Sequence, residues 1–241
     1  MLRQNLKIAR DHDPHFEWRG HDVTRMENLS DIVFALAFGM LVMSGDPPRT
    51  FEQLNAFLIN VVPVTLGFVV MFAIWNGHYT FFRRYALADK KVGFLNSLIL
   101  LLVLVLAYPL RFIFDGLYGY VLMHLGDLTL VNAMRIDFQR AGIIMGYFTS
   151  GFAVMQTLFA LLYSHALSKK EALELSELEV QLTKLSIWEY WAGAGCAIIA
   201  TIGAVLTPLG GFAGFFMNAT FLTDRVMRRH FVRGFPKPEA S

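Results

Sequence analysis

Apolar residues fall in six long runs separated by short polar stretches. The runs cover about Leu29–Ser44, Ala56–Arg83, Gly93–Phe114, Ala141–Leu167, Ile187–Thr207 and Leu209–Met227. Most approach or exceed the roughly 20 apolar residues that cross a bilayer as a helix. The pattern predicts an all-α integral membrane protein with six transmembrane helices. Pro47-Pro48 closes the first run, and Pro208 with Gly210-Gly211 makes a tight link between the last two. Pro63 and Pro109 lie inside runs two and three, where membrane helices kink rather than break.

Positive charge orients the helices. Of the 21 lysines and arginines, Arg49, Arg111, Arg135 and Arg140 fall on one side. The rest fall on the other, in the N-terminal tail, the second and fourth loops and the C-terminal tail. Both termini are therefore expected in the cytoplasm, as an even number of spans requires. The expected layout is a cytoplasmic tail over 1–24, a transmembrane domain over 25–230 and a cytoplasmic tail over 231–241. The polar residues before the first run do not read as a cleavable signal, so that run is expected to be its own targeting signal. The fourth loop, KKEALELSELEVQLTKLS, spaces Leu175, Leu178, Leu182 and Leu185 as heptads. Two heptads are too few for a coiled coil, so the loop reads as an extension of helices four and five or as a subunit contact.

The first run carries charge where it begins. On a helical wheel Ile32, Leu36, Gly39, Met40 and Met43 share one narrow stripe. Ser30 and Asp31 point away from it, toward neighbouring helices. A carboxylate in a membrane helix is costly and faces protein or water. Its expected partners are Trp75, Asn76 and His78 on helix two and Asn96 on helix three, all at the same depth. Two readings stay open: Asp31 and Ser30 lock the helices together, or Asp31 is a proton or ion site.

Composition sharpens the class. The chain has 241 residues, 55% hydrophobic and 17% charged, with mean hydropathy +0.47. A net charge of +2 gives no electrostatic case for nucleic acid. The lone Cys196 excludes an internal disulfide.

Arg25-Met-Glu-Asn-Leu29-Ser30-Asp31 resembles the R-x-x-x-F-S-D signature that opens the first helix of the transmembrane protein 175 family, endosomal and lysosomal potassium channels with prokaryotic relatives. Leu29 replaces the Phe. WNGHYTFFRRY, from Trp75 to Tyr85, resembles the W-x-x-H that ends the family's second helix. FLNSLILLL, from Phe94 to Leu102, resembles its Asn-containing third helix.

The resemblance implies a homotetramer of single six-helix units whose first helices line a central pore. It places the narrowest apolar ring at Leu36, with layers near Met40 and Met43 and with Ile32 and Gly39 on the same face. Arg25, Ser30, Asp31, Trp75, His78 and Asn96 would form the packing network behind the pore helix. It implies a potassium-permeable cation channel, multi-pass in the plasma or inner membrane, with no cofactor. An apolar ring gates by excluding water, and splaying the helix about Gly39 would open it. Without carbonyl ligands or a hydroxyl layer, preference for potassium over sodium is expected to be modest.

Other motifs weigh less. Gly116-Leu-Tyr-Gly-Tyr120 looks like a potassium filter sequence, but it is expected in an extracytoplasmic loop after helix three. His12, His15 and His21 lack the fixed surroundings of a metal site. His78 reads as a hydrogen-bonded structural histidine and His165 as a helix cap. The alternatives are a small secondary transporter, a proton-conducting membrane protein or a structural subunit. Pro63 and Pro109 do not occupy corresponding positions of two halves, as a transporter's repeats would suggest. No H-E-x-x-H or nucleophile elbow is present, so no enzyme is expected.

Overall fold

Four helices begin at caps written into the sequence. The Thr24 side chain accepts from Glu27 N–H while the Glu27 side chain accepts from Thr24 N–H, a capping box that starts α1 (Arg25–Val42). Ser176 and Glu179 repeat the device, and the Asp89 and Asp137 carboxylates accept from first-turn amides. The computed structural model describes residues 16–20, 22–43, 47–59, 61–208 and 210–218. Among these, the remaining helices are α2 (Phe51–Ile59), α3 (Val61–Tyr85), α4 (Lys90–His124), α5 (Thr129–Met134), α6 (Phe138–Ser168) and α7 (Glu177–Leu206). A 3-10 helix, Gly210–Asn218, follows.

Four of these helices are long and apolar enough to cross a membrane by length and composition: α3, α4, Gln139–Ser168 of α6, and α7. The helix α1 is shorter and carries Arg25, Glu27 and Asp31.

Several boundaries differ from the hydrophobic pattern. The second run takes in parts of α2 and α3, which flank residue 60, itself outside the described residues, and Pro63 lies within α3. The helix α4 continues through Pro109 to His124. Gly116 to Tyr120 therefore lie in a helix and not in a loop, and their carbonyls belong to the helical hydrogen-bond ladder. The fourth loop extends α7 alone, after turns at Lys169 to Glu174. Its Leu182 and Leu185 are buried, and Leu175 and Leu178 pack on the core, so the leucines serve this chain's own bundle. Of the sixth run, Gly210–Asn218 is 3-10 helix and the rest lies outside the described residues.

The helix α4 packs against α1, α3, α5 and α6, and α6 lies along α7. Small residues let the last pair approach closely: a Cβ on Gly142 would meet Ala204 O at 2.4 Å. Thr149 and Thr201 hydroxyls join α6 to α7 at 2.8 Å. The core runs through Phe34 and Leu41, Met71 and Phe81, Ile99 and Val103, Met155 and Leu162. The start of α1, the end of α3, the start of α4, the end of α6 and the start of α7 meet at one end of the bundle. We call it the basal end; Arg83, Arg84, Lys90, Lys91 and Lys169 lie there.

Candidate functional site

The two sides of α1 have opposite chemistry. Glu27, Ser30, Phe34, Ala37 and Leu41 are buried against the bundle. Leu29, Ile32, Leu36 and Met43 face outward, with Leu36 56% exposed and Ile32 67% exposed. These spacings of three, four and seven define one helical face. Gly39 is half-buried, and nothing lies within 4 Å of where its Cβ would be. Met40 is part-exposed and packs on the core at the edge of the stripe.

The head of α1 is held by directed hydrogen bonds. His78 Nε2 lies 2.7 Å from Asn96 Oδ1, an oxygen that only accepts, so the imidazole donates. Asn96 Nδ2 donates to Ser30 Oγ at 3.1 Å, and Ser30 donates to Met26 O at 2.8 Å. This relay links α3, α4 and α1 through buried groups, where a satisfied network is rigid. Asp31 lies at its rim, exposed within the chain, and accepts from Trp75 Nε1 at 2.9 Å.

A second anchor sits one turn earlier. The Arg83 guanidinium pairs with Glu27, and both side chains are 9% exposed. Arg83 Nη1 also donates to Gly20 O at 2.7 Å, and its guanidinium lies over the Tyr79 ring. The far end of α1 is capped from α4. Arg111 Nη1 donates to Leu41 O at 3.1 Å, while its Nε lies 2.8 Å from Asp115 Oδ2. A cation on the last carbonyls of a helix suits its dipole.

Of the residues singled out in the sequence, Ser30, Asp31, Trp75, His78 and Asn96 come together. Among the described residues Arg25 and Asn76 stand outside these hydrogen bonds, and Arg25 is exposed. His165 Nε2 reaches Asp89 Oδ2 at 2.7 Å, joining α6 to the cap of α4. His12, His15 and His21 lie outside the described residues. Among the described residues no group of three His, Cys, Asp or Glu is placed to hold a metal.

Three contacts were missed in the sequence. They are the Glu27–Arg83 pair, the Arg111 cap, and the docking of Phe16–Gly20 on the basal end. The doubled arginine at the end of an apolar helix and the acid in the capping box were the available signals for the first.

The outward face of α1 carries no charge from Ile32 to Met43, and its carbonyls up to Gly39 belong to the helical ladder. Such a face cannot strip an ion's hydration shell as a carbonyl filter does. What it can do is exclude water where copies of it converge.

Residues 25–107 match the family described as endosomal/lysosomal potassium channel TMEM175. The chain is 33% identical over 207 residues to a protein of Marivirga tractuosa named potassium channel, which spans 83% of this chain and 82% of that one. A potassium channel of Streptomyces collinus is 29% identical over 91 residues, 35% of this chain and 44% of that one. The crystal structure of a variant of the potassium channel MtTMEM175, held by a nanobody fusion, superposes with a TM-score of 0.77 at 30% identity, covering 92% of this chain and 97% of that one. A homologue from Chamaesiphon minutus shares the fold at 19% identity and a TM-score of 0.52, over 86% of this chain and 96% of that one.

Proposed function

The chain belongs to the endosomal/lysosomal potassium channel TMEM175 family, and on that premise we propose that it is a potassium-permeable cation channel, not an enzyme. It works as a homotetramer in the plasma or inner membrane. Each subunit contributes six spans, over 25–230, with both termini and the tails 1–24 and 231–241 in the cytoplasm. Four copies of α1 surround the pore, and Leu36 forms its gate, with Ile32, Gly39, Met40 and Met43 along the same path.

One observation carries this reading. The apolar face of α1 is left uncovered by its own bundle, while the opposite face is pinned by buried Ser30 and Asn96 at its head and by half-buried Arg111 at its far end. Left in water, that face would cost about 25 cal/mol per Å² of apolar area, so it needs a cover of lipid or of other copies. In a ring of four it encloses a narrow apolar path. Bulky apolar side chains there hold water out until the helices part. Selectivity for potassium over sodium is modest, because no oxygen on that face replaces the hydration shell. The bias of lysine and arginine to the basal end supports the cytoplasmic placement of that end.

The test is a bi-ionic reversal potential, potassium against sodium, on purified tetramers in planar bilayers, with Leu36→Ala beside the wild type. Potassium-favouring current enlarged by Leu36→Ala is expected. Silence from well-folded tetramers in both cases would favour a transporter or a structural subunit.

A further inference from the structure

The residues before α1 are seated on the channel body. Phe16 is buried with its ring edge-on to Tyr85 at 5.4 Å, and the Arg84 guanidinium lies 4.7 Å from its centroid. Arg19 grips Glu179 of α7 with two nitrogens, at 2.8 and 3.0 Å, and its Nε donates to Leu173 O at 2.7 Å. The Glu17 amide donates to the same carboxylate at 3.0 Å. Gly20 then lies against α3: its N–H donates to Arg83 O at 3.0 Å, and a Cβ there would meet Phe82 O at 2.6 Å. Only glycine permits that approach.

These contacts form one continuous path. It runs from Glu179 on α7 through Arg19 and Gly20 to Arg83 on α3, and from Arg83 to Glu27 on α1. The fork geometry of Arg19 makes the first link a directional clamp and not a loose charge contact. Each tie on the head of α1 lies on its bundle-facing side, opposite Leu36. The path therefore ties the head of α1 to its own bundle.

We propose that Phe16–Gly20 is a strap, and that the seating of Arg19 on Glu179 sets how often the pore opens. The inference rests on the reading of α1 as the pore helix. Arg19 is a positioning residue: it touches no permeating ion and acts through Gly20, Arg83 and Glu27. With the strap released, the head of α1 moves toward the axis and the apolar ring narrows.

The experiment is single-channel recording of the full-length chain in planar bilayers under symmetrical potassium. Arg19→Ala is expected to lower open probability by about fivefold or more, within the usual range of coupling between distant sites. Unitary conductance and reversal potential stay at the wild-type values. Arg19→Lys keeps the charge but loses the fork, and falls between the two. If Arg19→Ala does not yield tetramers, Phe16→Ala takes its place with the same expected fall, since it loosens the strap and spares the ion pair. A merely structural role would lower tetramer yield and leave the open probability of surviving channels unchanged, which would overturn the strap. So would a rise in open probability. A silent wild type would sink the pore reading and the strap with it, whereas a conducting wild type with unaltered variants would sink the strap alone.

Discussion

Trp75 donates its indole N–H to Asp31 Oδ1 at 2.9 Å, and this bond joins α3 to the head of α1 beside the buried Ser30–Asn96–His78 relay. The carboxylate at the head of α1 thus has a neutral donor from its own chain. Hydrogen bonds to charged groups contribute about 1.5–3 kcal/mol. Asp31→Ala leaves the indole N–H without its acceptor, while Asp31→Asn keeps an oxygen in place. We expect Asp31→Ala to reduce tetramer yield, measured by light scattering after size exclusion. Asp31→Asn should assemble, and surviving Asp31→Ala channels should conduct normally. Intact tetramers with a changed ion preference would instead place Asp31 in the permeation path.

The Glu27–Arg83 pair is buried on both sides, so its two halves are unequal to lose. Arg83→Ala strands a charged Glu27 and also frees Gly20, at a cost of about 3–5 kcal/mol. Glu27→Gln removes the charge yet still offers an oxygen to Thr24 N–H, and should cost less. Thermal unfolding in detergent, followed by tryptophan fluorescence, should rank Arg83→Ala below Glu27→Gln. The double variant should lose less than the sum of the two.

Leu36 is the test of gating by water exclusion. If four copies of α1 ring the pore as proposed, Leu36→Asn places amides at the gate, and a polar ring stays wet. Potassium flux into liposomes should rise well above the wild-type rate at equal protein. Equal flux would show that the constriction lies elsewhere on α1.

Asp89 links the cap of α4 to the end of α6. The hydrogen bond from His165, aided by Val92 N–H and Lys169, holds its carboxyl down at about 2, from an ordinary 3.8. A depressed carboxyl stabilises the fold at pH above its unfolded value and loses that contribution as pH falls through the folded one. The melting difference between wild type and Asp89→Asn should therefore be present at neutral pH and close as pH drops from about 4 toward 2. A gap that persists at the bottom of that range would mean the interaction is not one of charge.

Much of the helical frame was legible because its signals are local. The hydrophobic runs mark the bodies of α1, α4, α6 and α7, whereas the Ser176–Glu179 capping box starts α7 at Glu177, ten residues before the run at Ile187. The stripe of Ile32, Leu36 and Met43 follows from helical period alone. Depth matching along the helices offers Trp75, Asn76, His78 and Asn96 as partners for Ser30 and Asp31, and all but Asn76 join the hydrogen bonds at the head of α1. Local signals failed where two outcomes have similar local cost. Pro109 lies near the end of the third run in the sequence, yet it sits within α4, whose packing against α1, α3, α5 and α6 carries the helix past the missing amide. Gly116 to Tyr120 follow that continuation into the helix.

By itself, then, the sequence determined a membrane protein of long helices and the apolar face of the first one. Composition and period act over one or two turns, and they need no partner. The tertiary structure decided which face of α1 is covered, that Glu27 finds Arg83 across 56 residues, and that Arg19 finds Glu179 across 160. Those contacts form only when distant helix ends meet, and a lone arginine in a polar stretch carries no mark of the carboxylate it will reach.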